Sequence, residues 1–275
     1  MSLSAGEFDY VRSLVEQQAG IALESGKEYL VESRLNPLAL QEGFPSLQHL
    51  IADLKSSSLA GLHRKVVQAM TTNETSFFRD VRPFEVLKTH VLPELLARAA
   101  TNLALNFWCA AASTGQEPYS VAMLLREAIP TQLARRNIRL IASDLSTEVL
   151  ARALQGRYSQ LEVNRGLPAN LLVKYFQEDG NEWQIKADIR RMVEFREMNL
   201  TEPWCTLPPL DVIFMRNVLI YFNLETRRGI FVKVRQVLKP GGFLFLGSSE
   251  TTINLDAGFE PVPADRSACY RFRPD

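Results

Sequence analysis

Four stretches of this chain end an apolar run on polar residues whose types could do chemistry. Residues 105–112 lead into Ser113-Thr114-Gly115-Gln116-Glu117-Pro118. A loop of small residues entering a helix lets backbone approach a ligand closely, although a plain strand-to-helix turn would read the same way. The loop lacks Gly-x-Gly-x-x-Gly, so a dinucleotide site is weakly supported. Residues 138–143 lead into Asp144. An acid in that place can accept hydrogen bonds from both hydroxyls of a ribose. It can also cap the following helix, a role for which Ser146 and Glu148 compete. Together, the loop and the acid favour an adenosine-containing ligand. The other two stretches are Met198-Asn199-Leu200 and Arg216-Asn217-Val218-Leu219-Ile220-Tyr221-Phe222. Arg216, Asn217 and Tyr221 need partners if buried. A satisfied structural network would supply them, as would a binding site, and the strand-end position favours the site.

Elements able to position these residues follow from hydrophobic periodicity. Ser4 and Glu7 have capping-box spacing, and Phe8, Val11, Leu14, Val15 and Ala19 then mark one helical face closed by Gly20. Three more helices are expected over 26–41, after Ser46, and over 59–70, with Pro37 kinking or ending the second. From Leu105 onward short apolar runs at 105–112, 138–143, 210–215 and 243–247 alternate with helical segments at 118–129, 147–154 and 223–238. That alternation predicts a mostly parallel sheet covered by helices. Residues 183–186 and 193–195 read as short strands of a hairpin-like insert behind a turn at 177–182.

Composition narrows the function classes. The chain has 275 residues, 31 Lys and Arg against 31 Asp and Glu, and 46% hydrophobic residues. Zero net charge argues against a general nucleic-acid binder. No run is long and apolar enough to span a membrane, and the first residues do not read as a secretory signal. Cys109, Cys205 and Cys269 are widely spaced with no Cys-x-x-Cys pair, so neither a zinc site nor a disulfide framework is expected, and Cys109 reads as core filling. His49, His63 and His90 fall outside every stretch that carries candidate chemistry.

Three motifs carry a family resemblance. Thr71-Thr72-Asn73-Glu74-Thr75-Ser76-Phe77-Phe78-Arg79, the run from Trp108 to Ser120, and Arg216–Phe222 in that order resemble CheR, the chemoreceptor glutamate O-methyltransferases. Leu238-Lys239-Pro240-Gly241-Gly242 looks like the corresponding turn of class I S-adenosylmethionine methyltransferases. The resemblance implies an α/β, Rossmann-like class I methyltransferase domain over 105–275. A small all-helical domain over 1–72 and a linker over 73–104 would precede it, and an antiparallel β insert would lie at about 177–197. It implies a pocket for S-adenosylmethionine, with S-adenosylhomocysteine as product, lined by Asn73, Thr75, Arg79, Glu117, Asp144, Asn199, Leu200, Arg216 and Asn217. Asp144 would hold the ribose, and Asn199 and Leu200 would lie near the adenine. Arg79 and Tyr221 would orient the acceptor, with Arg79 equally able to bind the cofactor's own carboxylate.

The implied reaction esterifies glutamate side chains on the cytoplasmic methylation helices of chemoreceptors, in a cytoplasmic protein recruited to membrane-bound receptor arrays. The same motifs would also suit a non-catalytic cofactor-binding adaptor, or a methyltransferase of another acidic protein or small acid. A regulatory protein partner is compatible with either. Two departures from the family pattern stand out. Gln116 replaces a second glutamate, and the second helix offers few cations beyond Lys27 and Arg34. Residues 1–72 carry six Lys and Arg against eight Asp and Glu, so electrostatic docking through them should be modest. The turn around Asp179-Gly180-Asn181 looks shorter than the glycine-rich loop of members that bind a receptor's C-terminal pentapeptide, so such binding is not expected.

Overall fold

A computed structural model describes residues 3–56, 60–98, 104–204, 207–263 and 268–274. The chain divides into two compact units, Met1–Thr72 with Tyr221–Thr226, and Asn73–Ile220 with Arg227–Asp275.

The first unit is helical: α1 (Ala5–Ala19), α2 (Glu28–Gln41), α3 (Leu47–Ser56) and α4 (Ala60–Ala69). The Ser4–Glu7 capping box starts α1, and Gly20, at φ 70, ends it. Helix α2 continues past Pro37. Its apolar stripe, Val31, Leu35 and Ala39, is buried in the unit's core, and that packing outweighs the local loss of one backbone hydrogen bond. Arg34, one of the few cations of this helix, donates to the carbonyl of Thr71 (2.8 Å), to that of Met70 and to Thr72 Oγ1 (2.9 Å). It ties α2 to the segment that leads into Asn73. Tyr221–Thr226 joins this unit through the Tyr221 carbonyl, which accepts from Ala22 N (2.8 Å), and a bridge between Ile21 and Phe222.

The second unit opens with α5 (Arg82–Val86), a π-helical turn (Leu87–Val91) and α6 (Leu92–Arg98). Next come β1 (Leu105–Ala110), α7 (Gln116–Ala128), α8 (Pro130–Arg135), β2 (Ile138–Asp144) and α9 (Thr147–Gln155). A small-element stretch follows: β3 (Arg157–Ser159), α10 (Gln160–Asn164), α11 (Ala169–Tyr175), β4 (Phe176–Asp179), β5 (Glu182–Ile185) and α12 (Ala187–Arg190). The chain closes with β6 (Val193–Glu197), β7 (Leu210–Met215), α13 (Leu224–Val237), β8 (Leu238–Leu246), β9 (Phe259–Pro261) and β10 (Cys269–Phe272).

The main sheet has the order β6-β2-β1-β7-β8-β10-β9. Its first five strands are parallel neighbours, and β10 runs antiparallel to both β8 and β9. Every residue of β1 and β7 is buried, as continuous apolar runs in a covered parallel sheet require. Phe214 and Phe245 stack at 4.5 Å between adjacent strands.

The insert differs from expectation. Residues 193–197 are not part of it, because β6 pairs in parallel with β2 at the edge of the main sheet. The antiparallel sheet is β3-β5-β4, so its third strand lies upstream, at Arg157–Ser159. A half-exposed edge strand and a hairpin strand share the same short alternating pattern, and pairing partners alone separate them. Cys109 is fully buried in β1, and Cys205 lies outside the described residues.

Candidate active site

Strand order reverses beside β1: the chain passes from β1 through β2 to β6 on one side, then returns to β7 and β8 on the other. Ligands of open parallel sheets bind at the carboxyl ends of strands next to such a reversal. All the described non-glycine residues with positive φ but one sit in loops at this edge or in the segment that packs on it. They are Phe78, Asp80, Val81, Ala111, Ser113 and Asn217, with Asn254 the exception. Backbone strain of this kind persists only where the surroundings over-determine it, and it gathers at functional sites.

The loop after β1 is held at several points. Ser113 N donates to Asp144 Oδ2 (2.8 Å), and Ser113 Oγ donates to the Asn73 carbonyl (2.7 Å). Tyr158 OH donates to the Thr114 carbonyl, and Thr114 Oγ1 to Gln116 Oε1, both at 2.8 Å. Gln116 therefore serves the loop as a neutral acceptor, a task that a second glutamate would perform only by burying another charge. Gly115 has φ +94, and a Cβ there would lie 3.0 Å from Ala153 Cβ and 3.1 Å from the Tyr119 ring.

Asp144 is 7% exposed. Its Oδ1 accepts from Ser146 N (2.9 Å) as Oδ2 accepts from Ser113 N, while Ser146 itself caps α9. Burial pushes the carboxyl up, and the backbone N–H groups of Ser146, Ser113 and Leu145 pull it back. Three backbone amides thus face the carboxylate, and of its roughly four acceptor positions at least one stays open to a ligand hydroxyl.

Arg216 joins three parts of the edge. Its side chain is 1% exposed and pairs with Glu117 Oε2 and with Asp80 Oδ2, each at 2.6 Å. Nη2 also donates to the Arg79 carbonyl (3.0 Å), the guanidinium lies over the Phe84 ring, and Nε has no partner among the described residues. Burial raises the Glu117 carboxyl above its ordinary range, and the charge and hydrogen bond of Arg216 oppose that rise. The guanidinium is thus largely committed to protein groups.

The 73–81 segment lies along this edge. Phe77 is fully buried, edge-on to Tyr158 (5.0 Å) and Phe176 (5.6 Å). Phe78 N donates to Ser120 Oγ (2.9 Å), and Arg79 donates to the Glu74 carbonyl (3.1 Å). Thr75 and Arg79 are half-buried, and Asn73 is exposed. After β6, Met198 N donates to the Asp144 carbonyl (2.9 Å). Asn199 Oδ1 accepts from Thr201 N and Oγ1, closing its own turn. Lys233 Nζ donates to the carbonyls of Leu200 and Glu202.

Nine of the ten residues singled out by sequence belong to the second unit, and Tyr221 groups with the helical unit. Asp80, Lys233 and Glu250 went unnoticed. Asp80 directly follows the motif residue Arg79, and that adjacency was the one available signal. The partners of Lys233 and Glu250 are set by the fold. The three histidines make contacts away from these residues, His49 with Ser46, His63 with Tyr10 and His90 with Thr89.

Residues 6–71 match the family model for the CheR methyltransferase all-alpha domain, and residues 73–268 match that for the CheR methyltransferase SAM binding domain. The chain belongs to the CheR methyltransferase family. It is similar to chemotaxis protein methyltransferase 1 of Pseudomonas aeruginosa, at 43% identity over 98% of this chain and 99% of that protein. Chemotaxis protein methyltransferase Cher2 of Pseudomonas putida is 40% identical with the same coverage, and the Escherichia coli chemotaxis protein methyltransferase 34% identical over 94% of this chain and 89% of that protein. This CheR methyltransferase uses S-adenosylmethionine. Among the described residues no helix is long and apolar enough to cross a membrane.

Proposed function

We propose that this CheR methyltransferase esterifies glutamate side chains of chemoreceptors, forming glutamyl methyl esters, in the cytoplasm at membrane-bound receptor arrays. The observation that carries the reading is the match of both domain models, in order, over residues 6–71 and 73–268, with relatives named chemotaxis protein methyltransferases over nearly the full chain.

In this reading Asp144 takes the ribose hydroxyls. Asn73, Thr75, Arg79, Glu117, Asn217 and the backbone at Asn199 and Leu200 line the rest of the cofactor pocket. Arg216 fixes the pocket's rim by bridging Glu117 and Asp80. Bound S-adenosylmethionine supplies a methyl group already activated for transfer. A glutamate acceptor has a pKa of about 4.3, so it is ionised at neutral pH and needs no general base. Catalysis then rests on alignment, which can contribute about 7–11 kcal/mol. Arg79 is assigned to orienting the acceptor or the cofactor carboxylate. The assignment of Tyr221 to the acceptor rests on the Arg216–Phe222 motif. Transfer of labelled methyl groups to receptor-containing membranes tests the reading. Label on receptors is expected, and label confined to other acidic proteins or small acids would overturn it.

The β4–β5 hairpin also bears on receptor choice. Asp179 pairs with Glu182, leaving a two-residue turn with Gly180 at φ +66. Arg157 pairs with both flanking acids, Asp179 and Glu182. Strand addition of a peptide needs an open edge and a loop to frame it, and so short a turn frames little. The protein should therefore act on receptors without a C-terminal recognition peptide. Calorimetric titration with a receptor-tail pentapeptide should give little or no heat. Micromolar binding, abolished by substitutions in β4, would contradict this.

A further inference from the structure

We propose that Glu250 is a positioning residue for methyl transfer, its buried carboxylate setting the backbone of the 217–220 loop. The inference rests on the reading that Asn217 lines the cofactor pocket. Pairing of β7 with β8 ends at Met215 opposite Leu246. Beyond that point the backbone N–H groups need new acceptors. Glu250 supplies them: Oε2 accepts from Asn217 N (2.8 Å) and Gly247 N (2.6 Å), and Oε1 from Ile220 N (3.2 Å). The residue is 7% exposed.

Two neighbours are shaped by this arrangement. A Cβ on Gly247 would lie 2.8 Å from Glu250 Oε2 and 2.7 Å from Asn217 Nδ2, so space alone demands glycine there. Asn217 holds φ +58, a left-handed conformation that asparagine tolerates better than most residues and that the carboxylate's hold on its N–H helps to fix. The carboxylate grips the loop at that residue and again at Ile220. The loop starts at Arg216 and continues into Tyr221, so one side chain fixes the stretch between two residues of the motif. Glu250 acts through that backbone and through Asn217.

A matched carboxylate lies at the other end of β7. Asp211, 8% exposed, accepts from Asn106 N (2.8 Å) and from Lys239 Nζ (2.8 and 2.9 Å). Glu250→Gln keeps size but turns an NH2 toward a backbone N–H. It should stay folded, bind S-adenosylhomocysteine about tenfold more weakly by calorimetry, and lose kcat. Asp211→Asn should lower Tm and leave affinity unchanged. Parent-like affinity and turnover in Glu250→Gln would overturn the proposal, as would a lowered Tm alone. Should Glu250→Gln fail to fold, Gly247→Ala, which places a methyl in the carboxylate's seat, must show the same weaker binding, and parent-like binding would overturn the proposal. Asn217→Ala separates the two readings. Parent affinity there would remove Asn217 from the pocket, whereas weaker binding there with none in Glu250→Gln would sink only the role of Glu250.

Discussion

Replacing Arg216 with methionine is expected to cost about 3–5 kcal/mol of stability, since it leaves the buried Glu117 carboxylate without its counter-charge. Methionine keeps much of the volume, so packing loss adds little. For a unit of this size the loss corresponds to a fall in Tm of about 6–20 °C. Glu117 can escape part of the penalty by taking up a proton, as burial already pushes its carboxyl upward. In the parent, Arg216 holds the charged form lower, so the deficit of the variant is full at neutral pH and shrinks as pH falls through the raised range. Adding Glu117→Gln to the variant should restore part of the stability. Thermal melts of the parent and the two variants across pH check this. A deficit below about 1 kcal/mol, typical of solvent-screened pairs, would show that the network is loosely held.

Asp144→Ala is expected to weaken S-adenosylmethionine binding roughly ten- to a hundredfold, the equivalent of about 1.5–3 kcal/mol for lost hydrogen bonds to a charged group. The substitution also strips Ser113 N and Ser146 N of their acceptor, so the loop after β1 loosens. Asp144→Asn keeps one acceptor oxygen and should fall between parent and Asp144→Ala. Calorimetry on folded variants reads the effect. Unchanged affinity in folded Asp144→Ala would remove the residue from the ribose.

The parts of this fold that announce themselves in sequence are those specified locally. Ser4, Glu7 and Gly20 bracket α1, and the buried runs of β1, β2 and β7 stand out because both faces are covered. The polar residues behind those strands were legible for the same reason, since strand ends in a parallel sheet share one edge. What sequence left hidden depends on distant partners. Arg157–Ser159 is three residues long and becomes a strand only by pairing with β5. Val193–Glu197 looks like a hairpin strand until β2 claims it. Arg34 reads as one of the few cations left on α2, and no local pattern shows that carbonyls near residue 70 already occupy it. Asp80 meets Arg216 across 136 positions of sequence, and no local pattern records that contact.

The proposed modification of a carboxylate by this CheR methyltransferase is tested most directly by the stability of the product bond. A glutamyl methyl ester is cleaved by mild base, whereas a methylated amine is not. Receptor-containing membranes labelled by this protein should release volatile methanol at alkaline pH, with the protein-bound label falling in step. Label that stays on the protein under the same treatment would mean methylation at nitrogen and would contradict the account.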